Sequence, residues 1–160
     1  MPEKSAAGAP GVFIDALNVA WWCGAPPQLR LPLTLMSALL SAGREALLYF
    51  DASAAHQLAA EAEVYAALRM HAQLCIEVPS GRTADGVMLR RATSAGALVV
   101  SRDRYRDYRR RYRKLIDDPS RLLAGFIEQD RLQLPALAVD VPLPVTAQAA
   151  WLQLQALRTD

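Results

Sequence analysis

The feature that most constrains the fold is a short apolar run that ends abruptly in an acid. Val12, Phe13 and Ile14 follow one another directly, Asp15 comes next, and Asn18 lies three positions later. An unbroken apolar run is typical of a strand buried on both faces, as in the middle of a parallel sheet. Open α/β sheets hold their ligands at the carboxyl ends of such strands. The run therefore predicts a central strand that delivers Asp15 to a candidate site.

Further apolar runs follow along the chain, with segments of helical periodicity between them. Strands are predicted at 45–51, 74–78 and 97–100, and helices at 32–43, 53–72 and 83–96. Strands that alternate with helices favour a parallel sheet covered on both faces. Right-handed crossovers then place the carboxyl ends of the strands at one edge. The sequence predicts a three-layer α/β fold, with a central parallel sheet flanked by helices.

The domain organisation is simple, because 160 residues suffice for one domain with a substantial core. We expect a flexible leader at 1–10, one domain at 11–142 and a C-terminal helix within 143–160. Two strand-like runs at 125–129 and 132–134 predict a hairpin near the end of the domain.

The C-terminal helix, predicted at 145–157, has apolar residues on more than one side. Trp151, Leu152, Leu154 and Leu157 spread too widely for a single buried stripe. The helix is therefore expected either to pack on the domain or to form a homodimer interface.

Charge is distributed unevenly along the chain. The net charge is +2, yet the basic tract, residues 102–114, holds eight basic residues against two acids and carries +6. Such clustering indicates a polyanionic partner. The alternative is that arginine is simply abundant in this chain.

Composition excludes several classes of protein. With 52% hydrophobic and 21% charged residues, the chain is too apolar for disorder. No apolar run approaches the roughly 18 residues of a membrane span. Cys23 and Cys75 lack zinc-binding spacing and are expected to be small buried residues in a reducing compartment. We expect a cytoplasmic protein that does not enter the membrane.

Four acids are expected to approach one another at the sheet edge. Asp15 follows the first strand, Asp85 opens a helix entered from the third, and Asp103 and Asp107 follow the fourth. At about 4 Å and an effective dielectric constant near 20, each pair of carboxylates costs about 4 kcal/mol. A hard cation such as Mg²⁺ or Mn²⁺ would relieve that repulsion, with Asn18 orienting a bound water or a neighbouring carboxylate. The alternative is that these are ordinary capping and turn acids.

If the basic tract is helical, its apolar and basic residues fall on adjacent faces. Tyr105, Tyr108, Tyr112 and Leu115 share one face, which predicts packing rather than base stacking. The arginines are expected to bind phosphates of that partner, although a solvated charged surface is a serious alternative. The candidate phosphate-binding residues are Arg102, Arg104, Arg106, Arg109, Arg110 and Arg113.

Two adjacent tryptophans lie close to the predicted site. Trp21 and Trp22 come soon after Asn18 and could stack on an unpaired base. Packing beneath the loop is the expected role of at least one of them.

Three motifs together resemble the NYN branch of the PIN-like ribonucleases, and most closely the Regnase-type domain. They read F-I-D-A-L-N-V-A, A-D-G-V-M-L-R-R-A and L-V-V-S-R-D-R-Y-R-D-Y, within a likeness that spans about 12–134. The resemblance implies a PIN-like fold and a Mg²⁺-dependent endoribonuclease with an acidic cluster on a parallel sheet. By resemblance, Asp15 and Asn18 match the first motif, Asp85 the middle acid, and Asp103 with Asp107 the last.

The chain departs from the family pattern at two positions. Ala84 stands where the family often has the first of two paired aspartates. Arg102 replaces the asparagine of the usual S-N-D sequence and is expected to place a cation beside the site.

We therefore expect a metal-dependent endoribonuclease in which Asp15, Asp85 and Asp103 hold the ion and Asn18 and Asp107 assist. Its substrate is expected to be single-stranded or looped RNA. One alternative is a weak or inactive RNA-binding module of the same fold. Another is a protein–protein module that makes contact through the apolar segment 149–152.

Overall fold

A five-stranded parallel sheet forms the centre of the computed structural model, which describes residues 9–159. The strand order is β3-β2-β1-β4-β5, so β1 is central. This confirms the predicted α/β class and the parallel sheet. The strands are β1 (Val12–Asp15), β2 (Ala46–Phe50), β3 (Cys75–Glu77), β4 (Leu98–Val100) and β5 (Leu122–Leu123).

Helices cover both faces of the sheet. The α-helices are α1 (Ala16–Ala20), α2 (Arg30–Ser41), α3 (Ala54–Gln57), α4 (Ala62–Arg69), α5 (Ala84–Ala95), α6 (Arg109–Ile116) and α7 (Ala147–Thr159). Short 3₁₀ turns occupy Ala59–Glu61, Arg106–Tyr108 and Pro135–Leu137.

Side chains of β1 alternate between two separate hydrophobic cores. Ile14 is fully buried in the first core, while Phe13 packs against the second. The neighbouring β4 alternates in the same way, with Val100 in the first core and Val99 in the second. Ile14 lies opposite Leu48 of β2 and opposite Val100 of β4. The continuous apolar runs are thus explained by burial on both faces.

The predicted long helix at 53–72 is wrong, because the chain forms α3, a 3₁₀ turn and α4 there instead. Ser53 makes no capping hydrogen bond to a helix. At the second break, Glu61 adopts non-helical angles and its carboxylate accepts the Leu29 N–H at 2.7 Å. That bond ties Glu61 to the start of α2.

A second, antiparallel sheet follows the parallel one. It contains β6 (Phe126–Glu128), β7 (Arg131–Leu134) and β8 (Val139–Pro142) in that order. The pairing of β6 with β7 confirms the predicted hairpin. Its two-residue turn has positive φ angles at both Gln129 and Asp130, as a type I′ turn requires.

The C-terminal helix α7 packs against α2 of the same chain. Ala150, Trp151 and Leu154 are buried there, whereas Leu152 and Leu157 are exposed. Much of the apolar surface is therefore used within the chain, and the structure does not support the expected homodimer contact. No helix among residues 9–159 has both the length and the apolar character of a membrane span. Most of the expected leader, residues 1–8, lies outside the described residues.

Candidate active site

Three acids reach the same edge of the parallel sheet from three places in the chain. Asp15 ends β1 and caps α1, accepting the Asn18 N–H at 3.4 Å. Asp103 follows β4, which is the neighbour of β1. Asp85 lies in the first turn of α5, whose N-terminus is capped by Thr83. The topology thus brings together the acids that the sequence singled out.

Two residues bridge Asp15 and Asp103 by hydrogen bonds. The Tyr105 hydroxyl donates to Asp15 Oδ2 at 2.5 Å, and the Tyr105 N–H donates to Asp103 Oδ1 at 2.7 Å. The Ser101 hydroxyl donates to the same Asp15 oxygen at 3.2 Å and accepts the Asp103 N–H at 3.0 Å. The two carboxylates are therefore held in a closed network.

Tyr105 holds an unusual backbone conformation within that network. Its φ angle is +51°, in the left-handed region, although its side chain is buried. For a residue other than glycine this conformation costs on the order of 1–2 kcal/mol. Such strain persists only where the surrounding contacts fix it, and here those contacts are to Asp15 and Asp103.

The electrostatic environment raises the pKa of two of the acids. For Asp15, burial raises the pKa, the hydrogen bonds from Tyr105, Asn18 and Ser101 oppose that rise, and the charge of Asp103 adds to it. For Asp85, burial together with the charges of Asp15, Asp103 and Asp51 raises the pKa to about 7. The carboxylate of Asp85 has no hydrogen bond or ion pair to any residue within 9–159. It is thus a half-buried acid that meets only like charges.

Asp85 lines two cavities. One, of about 290 Å³, is also lined by Asp103, Asp107 and Tyr105. The other, of about 550 Å³, is also lined by Asp51. The exposed Asp107 is near the other acids only in that it lines the same cavity as Asp85 and Asp103.

Asp51 is an acid of this edge that the sequence reasoning did not select. It directly follows β2, and its Oδ1 accepts hydrogen bonds from the N–H and the hydroxyl of Ser53. The same strand-end rule that selected Asp15 would have found it. Ala84, which stands where an acid was expected, lines the same cavity as Asp51 and Asp85.

Asn18 and Arg102 stabilise the loops next to the acids through hydrogen bonds and a cation–π contact. The Asn18 side-chain oxygen accepts the Trp22 indole N–H at 3.0 Å and the Arg102 backbone N–H at 2.8 Å. The Arg102 guanidinium lies over the Trp22 ring at 4.8 Å and donates to the Gly125 carbonyl at 2.9 Å. Trp22 therefore packs beneath a loop. Trp21 is exposed, and its indole N–H donates to Gln57.

Arg102, which was expected to place a cation beside the site, lines a cavity together with Asp103. Within residues 9–159 its guanidinium forms no ion pair with an acid. Stacking on Trp22 and bonding to the Gly125 carbonyl hold it against the protein, since a planar guanidinium favours an aromatic face.

The basic tract packs through its tyrosines, as predicted. Tyr105 and Leu115 are buried, and Tyr108 and Tyr112 pack half-buried against the second core. The tract is not one continuous helix, because a 3₁₀ turn precedes α6 and Tyr112 departs from helical angles.

The arginines of the tract differ in how they are engaged. Arg109 forms a bidentate pair with Asp117, at N···O distances of 3.1 to 3.2 Å. Four others are exposed, and their guanidinium groups form no hydrogen bond or ion pair in the part of the chain that the structure describes. These are Arg104, Arg106, Arg110 and Arg113.

Among the described residues, metal-ligating residue types do not form a compact cluster. No group of three or more His, Cys, Asp or Glu residues within 9–159 has the arrangement of a metal site. Cys75 is buried as expected, and burial raises the pKa of its thiol to about 11. Cys23 is exposed, so the expectation that it is buried is wrong.

The chain is similar to known ribonuclease domains. Residues 9–138 match the model of a family described as the Zc3h12a-like ribonuclease NYN domain. A structure of nuclear proteinaceous RNase P 2 from A. thaliana superimposes with a TM-score of 0.65 and 14% identity, covering 91% of this chain and 33% of that one. A second structure, of Arabidopsis thaliana nuclear protein-only RNase P 2, gives a TM-score of 0.61 and 15% identity, covering 89% and 32%.

These structural likenesses show the fold alone at such low identity. The chain spans about a third of the length of the two solved structures. No curated protein sequence matches it.

Proposed function

The chain belongs to the Zc3h12a-like ribonuclease NYN domain family, and from that membership we propose that it is a divalent-metal-dependent endoribonuclease acting on single-stranded or looped RNA. The membership confirms the resemblance carried by the three sequence motifs. The observation that carries the proposal is Asp85, whose half-buried carboxylate faces other acids without a neutralising partner. An acid held in this way favours a bound cation.

The donor atoms of the acid cluster fit Mg²⁺ or Mn²⁺. Asp85 has both carboxylate oxygens free, Asp103 has one, and Asp15 has Oδ1 engaged only by a long bond from Asn18. Mg²⁺ commonly uses one or two carboxylates and completes its coordination with waters and substrate phosphate. A compact group of three protein ligands is therefore not required. When bound, the ion would lower the pKa of a coordinated water and stabilise charge on the phosphodiester.

The protein residues around the acids have positioning roles in this proposal. Tyr105 and Ser101 fix the orientation of Asp15 and Asp103 through the hydrogen-bond network. Asn18 holds the Arg102 backbone and thereby the loop that leads to Asp103. Asp107 lines the cavity in which the phosphodiester would lie.

RNA phosphates are assigned chiefly to the exposed, unpaired arginines of the basic tract. A guanidinium presents a planar fork of donors that matches phosphate oxygens. Arg102 and Arg109 are engaged within the protein, so we assign them smaller contributions than the sequence suggested. The main phosphate contacts are assigned to Arg104, Arg106, Arg110 and Arg113.

A second candidate function is an RNA-binding module without turnover. The observation that favours it is Ala84, a half-buried residue in the place of a family acid. If that acid is needed to hold the ion, the domain would bind RNA through its arginines and leave it intact.

Cleavage of labelled single-stranded RNA tests the proposal. Wild type, Asp103→Asn and Glu63→Gln would each be incubated with Mg²⁺, with Mn²⁺ or with EDTA. Glu63 is an exposed acid of α4 and serves as the matched control. We expect internal cleavage by wild type and Glu63→Gln that EDTA abolishes, and a loss of about a hundredfold or more in Asp103→Asn.

Two outcomes would contradict the assignment. Metal-independent cleavage, or near-normal cleavage by folded Asp103→Asn, would remove the metal role of the acids. Salt-dependent RNA binding with no cleavage under any condition would favour the binding module instead.

A further inference from the structure

We propose that a cavity beside Asp103 is a binding pocket for one unpaired nucleotide, an inference that rests on the proposed ribonuclease function. The cavity has a volume of about 830 Å³. Its lining combines Arg104, Arg106 and Arg109 with Ile116, Pro119 and Leu122. Cavities of roughly 300–1,000 Å³ commonly hold small organic ligands. The volume of this cavity lies within that range, so a ligand of the size of a nucleoside monophosphate can be accommodated.

The cationic wall of the pocket suits a phosphate group. Arg104 and Arg106 have no side-chain partner among residues 9–159 and are available to an anion. Asp117 also lines the pocket, but its carboxylate is neutralised by the bidentate pair with Arg109. The pocket therefore keeps a net positive wall despite the acids in its lining.

The apolar wall suits a base rather than a bare anion. Ile116 ends α6, Leu122 begins β5, and Pro119 lies in the turn between them. A nucleobase presents a flat face that packs on such a surface, while the attached phosphate reaches the arginines. A simple anion would use only the guanidinium groups, and a purely apolar ligand would leave them unpaired.

The pocket adjoins the acid cluster directly. Asp103 lines this pocket and also the smaller cavity that Asp85 lines. A nucleotide bound here would place a connecting phosphodiester next to the acids. Its base must leave the stack to enter, so the pocket would select unpaired RNA.

Mononucleotide binding in EDTA tests the pocket without requiring catalysis. Calorimetry would compare AMP, CMP, GMP and UMP with ribose 5-phosphate and inorganic phosphate. We expect at least one nucleotide to bind at least tenfold more tightly than inorganic phosphate. Equal affinity for nucleotide and phosphate would overturn the proposal and leave only a charged surface.

Paired variants separate the pocket from overall charge. Arg104→Ala/Arg106→Ala is expected to lose at least tenfold in nucleotide affinity. Arg90→Ala/Arg91→Ala removes the same charge from exposed positions of α5 and should change it less than twofold. Equal losses in the two double variants would contradict a defined site.

A filling substitution tests the apolar part of the pocket while every arginine stays in place. Ala124 is an exposed residue of the pocket lining, and Ala124→Trp should weaken nucleotide binding at least tenfold. Ala66→Trp, at an exposed position of α4, is the control for the bulk of the added ring and should keep wild-type affinity. Melting curves would establish that both variants fold. Unchanged nucleotide affinity in folded Ala124→Trp would overturn the proposal.

The two proposals can fail separately. Nucleotide binding that passes these tests in a protein that never cleaves RNA would support the pocket and contradict the nuclease. Metal-dependent cleavage with no measurable mononucleotide binding would overturn the pocket alone.

Discussion

Asp15 and Asp85 occupy the same sheet edge and both have raised pKa values, yet their surroundings are opposite. Asp15 accepts hydrogen bonds from Tyr105, Ser101 and the Asn18 backbone. Asp85 accepts none from the described residues and meets the charges of three other acids. The first carboxylate is held by the protein, whereas the second is left open.

The contrast shows how the fold can divide two tasks between similar residues. A carboxylate with several donors is fixed in position and contributes to the local structure. An unpartnered, half-buried carboxylate reduces stability, and such a cost is commonly retained where a site needs the group. In our proposal Asp15 is fixed in position by its hydrogen bonds, and Asp85 offers the ion carboxylate oxygens that have no hydrogen-bond partner.

The largest expected effect is the loss of cleavage when the open acid is neutralised. Asp85→Asn keeps the shape of the side chain but removes a charge that would hold the ion. We expect RNA cleavage to fall by about a hundredfold, which corresponds to about 2.7 kcal/mol of transition-state stabilisation. Single-turnover rates at saturating Mg²⁺ would measure it. Cleavage within threefold of wild type would show that Asp85 is not part of the working site.

A smaller effect is expected when the held acid loses its shortest hydrogen bond. Tyr105→Phe removes the hydroxyl that donates to Asp15 and leaves that enclosed carboxylate less stabilised. Because this bond lowers the pKa of Asp15, the pKa should rise further in the variant. We expect the free energy of unfolding to fall by about 1–2 kcal/mol at neutral pH, measured by denaturant unfolding in EDTA.

Tyr112→Phe is the matched control for that measurement. Its hydroxyl has no hydrogen-bond partner among residues 9–159, and its ring is half-buried in the same core. It should change stability by less than about 0.5 kcal/mol. Equal losses in the two variants would show that the Asp15 network adds no specific stability.

The sequence predicted the convergence of the acids but not their different states. Asp15 and Asp103 follow strand ends and Asp85 opens the helix that comes after β3, so parallel topology brought all three to one edge. The capping alternative is also right for Asp15, which caps α1 while belonging to the cluster. Which carboxylate is bonded and which is open depends on side-chain contacts across the chain. The bond from Tyr105 to Asp15, for example, joins residues 90 positions apart.

Two strands and the contact between Arg102 and Trp22 were also not predicted from the sequence, each for an identifiable reason. β5 has only two residues and shows no readable periodicity. β8 was not predicted, and it is identified by its pairing with β7. The packing of Arg102 on Trp22 depends on Gly125. A Cβ atom added at Gly125 would lie 2.5 Å from the Gln133 carbonyl oxygen. Contacts of this kind join distant segments and leave no local pattern.

The smallest expected effect concerns how stability changes with pH when Asp85 is removed. The pKa of Asp85 is about 7 in the folded protein, against 3.8 for an unperturbed aspartate. A group whose pKa is raised on folding contributes favourably below its unfolded value, and that contribution is lost as pH rises through the folded value. Wild type should therefore lose stability between about pH 4 and pH 7 through this group, and Asp85→Asn should lose less. The two proteins should differ little near pH 4.

At pH 8 the variant should be the more stable of the two, because it no longer ionises an acid among like charges. Since Asp85 is only partly shielded from solvent, we discount the full shift and expect a gain of about 1 kcal/mol, or about 2–4 °C in melting temperature. Melting curves in EDTA from pH 4 to pH 8 would measure it. Glu63→Gln should follow wild type throughout, because that exposed acid lies outside the cluster. Adding Mg²⁺ at pH 8 should stabilise wild type more than Asp85→Asn, since a ligand of the folded state raises the free energy of unfolding. Parallel pH curves for wild type and Asp85→Asn would mean that Asp85 is not strained, and the contrast with Asp15 would then rest on hydrogen bonding alone.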